Sequence, residues 1–283
     1  MNVVRRVSEA RAALAGLPRP LGLVPTMGAL HEGHLALVGE ARTACAAVAA
    51  SIFVNPTQFG PGEDYERYPR DEGRDLVRLE QRGADVVFIP PVAEMYQSGA
   101  ATTVTVRGPL TGILEGAQRP GHFDGVCTVV AKLLNIVRPD RLYLGRKDAQ
   151  QLAVVRRMVR DLDLPVEVVG MPTVREPDGL AMSSRNAHLS AAERASAPRL
   201  RRALEAAAAA ADASSSIDTL RATFAAALDG DEATRFGVDY VDLVDPETFE
   251  PVRSPRDGGL LVAAVRLGSV RLIDNLRLEP PRP

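Results

Sequence analysis

Cysteine is scarce in this sequence of 283 residues, and positive charge shows no surplus. The only cysteines, Cys45 and Cys127, stand in alanine- and valine-rich surroundings rather than in a CxxC spacing. Neither a disulfide framework nor a structural zinc site is therefore expected. The formal net charge of -2 excludes a general basic field for a polyanion. We expect no nucleic acid as a partner, and any phosphate site must be compact.

Long apolar runs are missing as well. No stretch of about 18 uncharged apolar residues occurs, and segment 1–17 lacks an apolar core followed by a cleavage site. We expect no membrane association and a cytoplasmic location. Hydrophobic residues at 46% and charged residues at 25% are ordinary globular usage. The chain length favours two domains, each able to bury a core.

Short apolar runs alternate with helical patterns through residue 174. Five runs are typical of buried parallel strands: 20–24, 46–54, 84–91, 141–145 and 166–174. The segments between most of them show helical spacing of apolar residues or a charged helical pattern. This alternation predicts an α/β fold with a parallel sheet covered on both faces. Ligands are expected at the carboxyl ends of the strands, near a topological switch point.

The alternation of strand and helix patterns ends near residue 175. Ser190 and Glu193 form a capping-box pattern that leads into an alanine-rich helical region running toward Ala211. Segments 238–245 and 260–276 are typical of strands of a small sheet. We therefore predict one domain over residues 1–174 and a smaller α+β domain over residues 175–283.

Two histidines lie in HEGH, where the first of these strands turns into a helix. Side chains of His31 and His34 beside the positive end of a helix suit a polyphosphate whose charge grows at the α-phosphate during adenylyl transfer. Gly28 and Gly33 allow close backbone approach. His122 of PGHFDGV places a third histidine in a glycine-containing motif. A metal pair or satisfied loop histidines are the alternatives, whereas a zinc-protease spacing is excluded.

Amide side chains follow the second of these strands in FVNPTQF. Asn55 and Gln58 offer directional hydrogen bonds without charge, which suit a substrate that has hydroxyls and a carboxylate. The alternative is a turn-capping Asn and a surface Gln, and the motif taken alone favours it.

A third motif, GRKDAQQ, follows the strand 141–145 directly. Lysine occurs only at Lys132 and Lys147 among 34 basic residues, so the ammonium of Lys147 is conspicuous beside Arg146. Lys147 could neutralise phosphate charge, while Asp148 could orient a ribose hydroxyl or a magnesium-bound water. A helix-capping charged pair is the alternative.

A fourth motif, GLAMSSRN, comes just after the last of these strands. Two hydroxyls and Arg185 on a loop that begins with Gly179 are typical of a mobile phosphate clamp, because Arg can bridge two phosphate oxygens. A serine-rich interdomain linker is the alternative. The order Met-Ser-Ser-Arg favours the clamp.

Together these four segments resemble the pantothenate synthetase family, whose members carry PTMGxLHxGH, FVNPxQF, GxKDxQQ and (L/M)SSRN in this order. The resemblance is dense over residues 24–190, including the RPGHFDGV and DxYPR stretches. It implies a Rossmann-like sheet of the HxGH nucleotidylyltransferase type, a C-terminal lid domain and a homodimer. Arg146 departs from the Glu or Gln that is common at the variable second position of GxKDxQQ, so a side-chain role at this position is not implied.

The resemblance also implies roles for individual residues. His34 would donate a proton, and His31, Lys147 and Arg185 would join it as catalytic residues. Gln58 and Gln151 would hold pantoate, and Gln58 would also face β-alanine; Asn55 is added as a substrate-binding residue from its motif. No protein ligand for a metal is identified. The expected ATP-binding residues are Met27, Gly28, Ala29, Leu30, His31, Glu32, Gly33, His34, Gly145, Arg146, Lys147, Asp148, Val174, Met182, Ser183, Ser184 and Arg185.

The implied activity uses ATP with Mg²⁺ to activate pantoate as an adenylate, which the amine of β-alanine then attacks. Another HxGH nucleotidylyltransferase would keep both histidines, but it has no need for the two glutamines. A non-catalytic nucleotide sensor could use the same binding residues without turnover. A class I aminoacyl-tRNA synthetase is disfavoured because neither a tRNA-binding appendage nor a basic surplus is evident.

Overall fold

A computed structural model of the chain describes residues 1–211, 215–228 and 234–279. Its contacts divide the chain into two units. Unit 1 comprises Met1–Arg146 and Val154–Pro172, and unit 2 comprises Lys147–Ala153 and the described residues of Thr173–Pro283. Each unit contains a sheet of its own.

Unit 1 is built on a six-stranded sheet in the order β1-β4-β3-β2-β5-β6. All neighbouring strands run parallel, which confirms the predicted α/β class. The central strands β2 and β3 consist almost wholly of buried residues, as expected for strands covered on both faces. The strands are β1 Asn2–Val4, β2 Leu21–Thr26, β3 Ala47–Ile52, β4 Val86–Phe88, β5 Arg141–Gly145 and β6 Glu167–Met171.

Helices cover this sheet. Residues of α2 and α3, among them Val38 and Leu79, form one core cluster with strand residues such as Val24 and Val87. The charged helical pattern between the second and third apolar runs, over residues 65–84, predicts a longer helix than the structure contains, because Asp71 caps α3 and the helix begins at Glu72. The helices that precede β6 are α1 Val7–Ala15, α2 Glu32–Ala44, α3 Glu72–Gln81, α4 Val92–Met95, α5 Pro109–Gly112, α6 Glu115–Gln118, α7 His122–Val137 and α8 Ala149–Asp161.

The strand order reverses between β2 and β5. From β2 the chain continues outward through β3 and β4, whereas β5 pairs with the other side of β2 and leads to β6. This is a topological switch point, where ligands of open α/β sheets bind beyond the carboxyl ends of the strands. β2 ends at Thr26 and β5 at Gly145, immediately before two of the four motifs.

Unit 2 contains a three-stranded antiparallel sheet in the order β7-β8-β9. Leu204 and Phe224 of its helices pack against Leu243 and Leu261 of its strands. The Ser190–Glu193 capping box is confirmed, but the helical region is divided into α9 and α10. Its elements are α9 Ala191–Ser196, α10 Arg199–Ala209, α11 Ile217–Leu228, β7 Phe236–Val244, β8 Gly259–Leu267 and β9 Val270–Leu278.

Several elements were not predicted from the sequence. β1 contains only three residues, too few to show a period, and it forms one edge of the parallel sheet. α1 and α11 are short amphipathic helices outside the four motifs. Four 3₁₀ turns also occur in the described chain, at Pro56–Gln58, Arg146–Asp148, Ser184–His188 and Pro255–Asp257. Among the described helices, none combines the length and the apolar character needed to cross a membrane.

Helix α7 approaches the turn after β3 more closely than a side chain would permit. A Cβ atom added to Gly125 would lie 2.3 Å from the carbonyl oxygen of Thr57 and 2.7 Å from the nitrogen of Gln58. The Asn55 side chain also donates to the Gly125 carbonyl at 3.1 Å. Glycine at this helix position therefore permits backbone-to-backbone packing of α7 on the turn.

We expect Gly125→Ala to destabilise the protein by about 1–3 kcal/mol, because overpacking forces the backbone to move. At an unobstructed helix position the same change would instead stabilise by about 0.5–1 kcal/mol. Gly73→Ala in α3 is the matched control, since a Cβ there would meet no atom within 4 Å. Urea midpoints measure both effects. A Gly125→Ala midpoint at or above that of the wild type would contradict the packing argument.

Candidate active site

The turn from β2 to α2 carries the histidine pair; we call residues Met27–His34 the histidine turn. Gly28 and Ala29 adopt left-handed conformations, with φ of 83° and 49°. Glycine accepts this conformation readily, whereas alanine adopts it at a cost. The Gly28 amide donates to the Thr26 hydroxyl at 3.2 Å, and Leu30 is buried. The chain thus turns sharply and reaches the first helical residue within a few positions.

His31 is the N-cap of α2. Its Nδ1 accepts a hydrogen bond from the Gly33 amide at 3.1 Å, and Nδ1 of His34 accepts from the His31 amide at 3.4 Å. The two imidazoles therefore form a reciprocal capping box. Because both Nδ1 atoms accept, the neutral rings carry their hydrogen on Nε2. The ring centroids lie 4.0 Å apart, so two Nε2–H donors stand together at the positive end of a helix.

A second group, the amide turn Asn55–Gln58, follows β3. Asn55 is 1% exposed, and its Oδ1 accepts from the Thr57 hydroxyl at 2.9 Å and from the Tyr96 hydroxyl at 2.8 Å. Its Nδ2 donates to Oε1 of Gln58 at 3.2 Å, and Nε2 of Gln58 donates to the sulfur of Met27 at 3.0 Å. Asn55 thus caps the turn and contacts the Gln58 amide. The structure brings Met27, Asn55 and Gln58 together within unit 1.

His122 is buried and packs against the backbone of the amide turn. Its Nδ1 donates to the Gln58 carbonyl at 2.8 Å, and its Nε2 accepts from Arg119 at 3.2 Å. Both bonds require the neutral ring with hydrogen on Nδ1. Burial, reinforced by the charge of Arg119, lowers the pKa of His122 to about 4. Arg119 also donates to the Gln58 carbonyl and pairs with Glu63 at 2.6 Å, so this group holds the backbone of Gln58.

Gly145, the last residue of β5, pairs with Met171 of β6 in the parallel sheet. The side chain of Arg146 donates from Nε to the Gly170 carbonyl at 2.9 Å. The departure from the family pattern at Arg146 therefore places a guanidinium against the end of β6. The backbone of this segment still follows β5 directly, as expected.

The remaining predicted residues lie in unit 2. Lys147 contacts Asp148, with 3.4 Å between Nζ and Oδ1, and its carbonyl accepts from Asn275 at 3.0 Å. Gln151 lies partly exposed in the first turn of α8. Lys147 is thus bound through its backbone to β9.

The serine segment, Met182–Asn186, follows a tight hairpin. The amide of Met182 donates to the Val174 carbonyl at 3.0 Å. The backbones of Arg175 and Ala181 form an isolated antiparallel β-bridge. The Ser183 hydroxyl accepts from the Arg185 amide at 3.3 Å and begins the 3₁₀ turn that contains Ser184 and Arg185. All residues of the serine segment are partly exposed.

A buried ion pair anchors this hairpin to β9. Arg175 donates to both carboxylate oxygens of Asp274, at 2.7 and 2.9 Å, and Asp274 is 3% exposed. Such a bidentate pair fixes position as well as supplying energy. Neither residue belongs to the sequence-predicted site.

Within unit 2 the structure brings Lys147 and Ser183 to one cleft. Arg201 and Arg271 add two further cations to its lining, and Asp274 one carboxylate. Each of these cations has a carboxylate partner: Asp148 for Lys147, Glu205 for Arg201 and Asp239 for Arg271. The cleft therefore offers ammonium and guanidinium donors of the kind that bind phosphate oxygens, without a surplus of positive charge. Arg201 and Arg271 were not predicted, because arginine is common throughout this sequence.

Residues 2–277 match the family model of pantoate-beta-alanine ligase. The chain belongs to this family. A pantothenate synthetase of Chloroflexus aurantiacus is 57% identical over 281 residues, which cover 99% of each chain. One from Thermus thermophilus is 54% identical over 286 residues, covering 99% of this chain and 100% of that protein. The family resemblance and the enzyme class predicted from the sequence are confirmed.

Solved structures of the pantoate-beta-alanine ligase family share the fold. A crystal structure of pantothenate synthetase from Thermus thermophilus has a TM-score of 0.93 and 53% identity, covering 99% of this chain and 100% of that one. The pantoate-beta-alanine ligase of Francisella tularensis, complexed with beta-gamma ATP and beta-alanine, has a TM-score of 0.82 and 32% identity, covering 98% and 97%. The predicted fold class is confirmed.

The buried His122 makes stability depend on pH in a specific window. Below its ordinary pKa of 6.5 the unfolded chain binds a proton that the folded chain refuses until about pH 4. The free energy of unfolding therefore falls as pH decreases through this window, by about 1–2 kcal/mol between pH 7 and 5 from this residue. In His122→Asn, whose amide can replace the Nδ1 donor, this contribution is expected to vanish.

Urea unfolding of both proteins at pH 7 and pH 5 measures the difference. His188→Asn, at an exposed histidine, is the control and should keep the wild-type pH dependence. If His122→Asn lost as much stability on acidification as the wild type, His122 would not be the buried neutral group.

Proposed function

We propose that the chain condenses pantoate with β-alanine in two steps that use ATP. A carboxylate oxygen of pantoate attacks the α-phosphorus, and the bond to pyrophosphate breaks. The amine nitrogen of β-alanine then attacks the acyl carbon of the pantoyl adenylate, AMP leaves, and the nitrogen loses a proton. The observation that carries the proposal is the imidazole capping box at the start of α2, in a chain of this family.

The charges of the first step explain why such a capping box is useful. A carboxylate approaches a polyphosphate, so two anions must meet while charge grows on the bridging oxygen. Donors that are already oriented stabilise this charge without reorganising during the reaction. The Nε2–H groups of His31 and His34, together with the positive end of α2, supply such donors in unit 1. We assign proton donation to His34.

Cationic and hydroxyl donors of unit 2 are proposed to bind the nucleotide as well. Lys147 lines one cleft with Ser183, and the 3₁₀ turn places Ser184 and Arg185 directly after Ser183. An ammonium, a guanidinium and hydroxyls are the groups that bind phosphate oxygens. The other ATP contacts that the resemblance implies, including Asp148 and Val174, keep their proposed roles.

Pantoate is proposed to bind Gln58 and Gln151, and β-alanine to face Gln58. The amide turn offers only neutral polar side chains, and Arg119 and His122 hold the Gln58 carbonyl from below. Asn55 is buried and bonded on all sides, so we assign it the positioning of Gln58. A nucleotidylyltransferase with a phosphate-bearing acceptor would instead require cations at this turn.

Magnesium is proposed to arrive with the phosphates of ATP. Among the described residues no group of three His, Cys, Asp or Glu side chains is arranged as a metal site. Mg²⁺ is commonly held by one or two carboxylates together with substrate phosphates, and Asp148 suits this smaller requirement. Pyrophosphate release that persists in excess chelator would rule out a role for the metal.

Larger-scale properties are proposed from the family resemblance. We propose domains 1–174 and 175–283, the second acting as a lid, as well as a homodimer and a cytoplasmic location. Light scattering that gives a monomer mass would contradict the homodimer. Equal proteolysis of the segment from Gly179 to Asn186 with and without ATP and pantoate would contradict lid closure. Location of a tagged chain outside the cytoplasm would contradict the last proposal.

The reaction itself is tested by following each product. With ATP, Mg²⁺ and pantoate alone, we expect a pyrophosphate burst of one equivalent per active site and no steady AMP release. Adding β-alanine should then start continuous AMP release. Binding of ATP without any response to pantoate would favour another nucleotidylyltransferase or a sensor, and a phosphate-bearing acceptor would distinguish these two.

We expect His34→Ala and Lys147→Ala each to lower the rate of adenylate formation by about 100-fold or more, because each removes a donor to developing charge. His188→Ala, at an exposed histidine, should stay within about twofold of the wild type. Single-turnover pyrophosphate release measures the rates, and urea midpoints verify folding. Near-wild-type rates in either folded variant would remove that residue from the proposed mechanism.

A further inference from the structure

Helix α3 holds one residue of the histidine turn at both ends. The amide of Leu30 donates to Oδ1 of Asp75 at 2.9 Å, and its carbonyl accepts from Nη1 of Arg78 at 2.5 Å. Leu30 directly precedes His31, the N-cap of α2. Asp75 and Arg78 are three positions apart, so they lie on one side of α3. We call these two residues the α3 clamp.

Burial of the Asp75 carboxylate costs free energy unless hydrogen bonds compensate for it. Asp75 is 1% exposed, and burial raises its pKa in spite of hydrogen bonding from the amides of Leu30 and Ala29. Its second oxygen, Oδ2, makes no hydrogen bond of good geometry in the described structure. An unpaired buried acceptor normally requires an explanation, since nearly all buried polar groups find partners.

The position of Oδ2 supplies part of that explanation. A Cβ atom on Gly28 would lie only 3.1 Å from it, so this oxygen packs against the backbone of the left-handed residue. Ala29, the next residue, is also left-handed. Such conformations persist only where the surroundings over-determine them. The clamp thus contacts the turn at Gly28 and at Leu30, on either side of the left-handed Ala29.

The orientation of both imidazoles depends on this backbone. His31 is oriented through the amide of Gly33, and His34 through the amide of His31. A rotation of the Leu30–His31 peptide would therefore tilt the two Nε2–H donors together. Glu32 pairs with Arg82 at 2.6 Å, but both side chains are well exposed, and such surface pairs contribute little.

We propose that Asp75 and Arg78 are positioning residues that act through Leu30 to hold His31 and His34 in the geometry adenylate formation requires. This inference rests on the proposed function of the histidine pair. Both bonds of the clamp go to the backbone of Leu30, so its effect on rate passes through the imidazoles. A positioning role predicts a lower rate constant for adenylation with nearly unchanged KM values for pantoate and ATP.

A double-mutant cycle separates positioning from simple stabilisation. Asp75→Ala should lower single-turnover pyrophosphate release by about 10- to 100-fold in the wild type, but by less than about twofold in a His34→Ala background. Asp75→Asn, which keeps an acceptor for the Leu30 amide, should stay within about threefold of the wild type. Equal losses in both backgrounds, or no loss in the wild type, would overturn the proposal.

Three further variants guard against loss of folding. Asp71→Ala removes the N-cap of the same helix, where Oδ1 accepts from the Arg74 amide at 3.1 Å, without touching the histidine turn. It should lower the urea midpoint and leave the adenylation rate unchanged. If Asp75→Ala does not fold, Arg78→Ala and Arg78→Lys take its place in the cycle, with the lysine variant expected to recover at least half of the lost rate on a logarithmic scale.

A readout without substrate keeps this test independent of the proposed reaction. Amide hydrogen exchange of Leu30 and His31 should be at least about tenfold faster in Asp75→Ala than in Asp71→Ala, because the Leu30 amide loses its acceptor. Unchanged exchange would refute the clamp even in an active enzyme. If exchange is faster in Asp75→Ala but the wild-type protein never releases pyrophosphate with pantoate, the clamp is supported and the proposed reaction is refuted.

Discussion

The hydrogen bonds from α3 to the peptide groups of Leu30 are the contacts on which the histidine turn depends. The turn leaves the buried strand β2 and begins helix α2 within a few residues. It is therefore too short to form a regular set of backbone hydrogen bonds of its own. Two left-handed residues, Gly28 and Ala29, make it short, and a left-handed alanine does not hold itself in place. Asp75 and Arg78 supply the missing bonds. The caps made by both imidazoles follow from a backbone that is already fixed.

Charge is distributed differently in the two units, and the chemistry gives a reason. In unit 1 the side chains of the amide turn are neutral, His122 is kept neutral by burial, and the guanidinium groups of Arg78 and Arg119 donate to backbone carbonyls. In unit 2 the cleft beside Lys147 is lined by the charged side chains of Arg201 and Arg271, which pair with Glu205 and Asp239. A nucleophilic carboxylate paired with a cation loses reactivity, whereas amides and imidazoles can orient it and leave its lone pairs available. A polyphosphate that must leave benefits from full positive charge.

The sequence predicts well those features that arise from local chemistry. Buried parallel strands form near-continuous apolar runs, and β2, β3 and β5 lie where such runs occur. The Ser190–Glu193 capping box is a bond between near neighbours in the chain, so its pattern is visible without tertiary structure. The HEGH motif is local in the same sense, because its two caps span three residues. The parallel sheet and these local caps could therefore be predicted from the sequence alone.

Tertiary partners are harder to predict, since a charge that is buried by a distant segment looks like any surface charge. Asp75 occurs in a stretch so rich in Arg, Asp and Glu that solvent exposure is the natural expectation. A signal is nonetheless present, because Asp75 precedes the buried Leu79 by one helical turn and so shares its inward face. Asp274 carries the same signal in β9, where it follows the buried Leu272 by two positions and so lies on the same side of the strand. A carboxylate in the apolar phase of a helix or strand predicts a bonded partner elsewhere in the chain. For Asp274 that partner is Arg175, and for Asp75 it is the peptide that precedes the histidine pair.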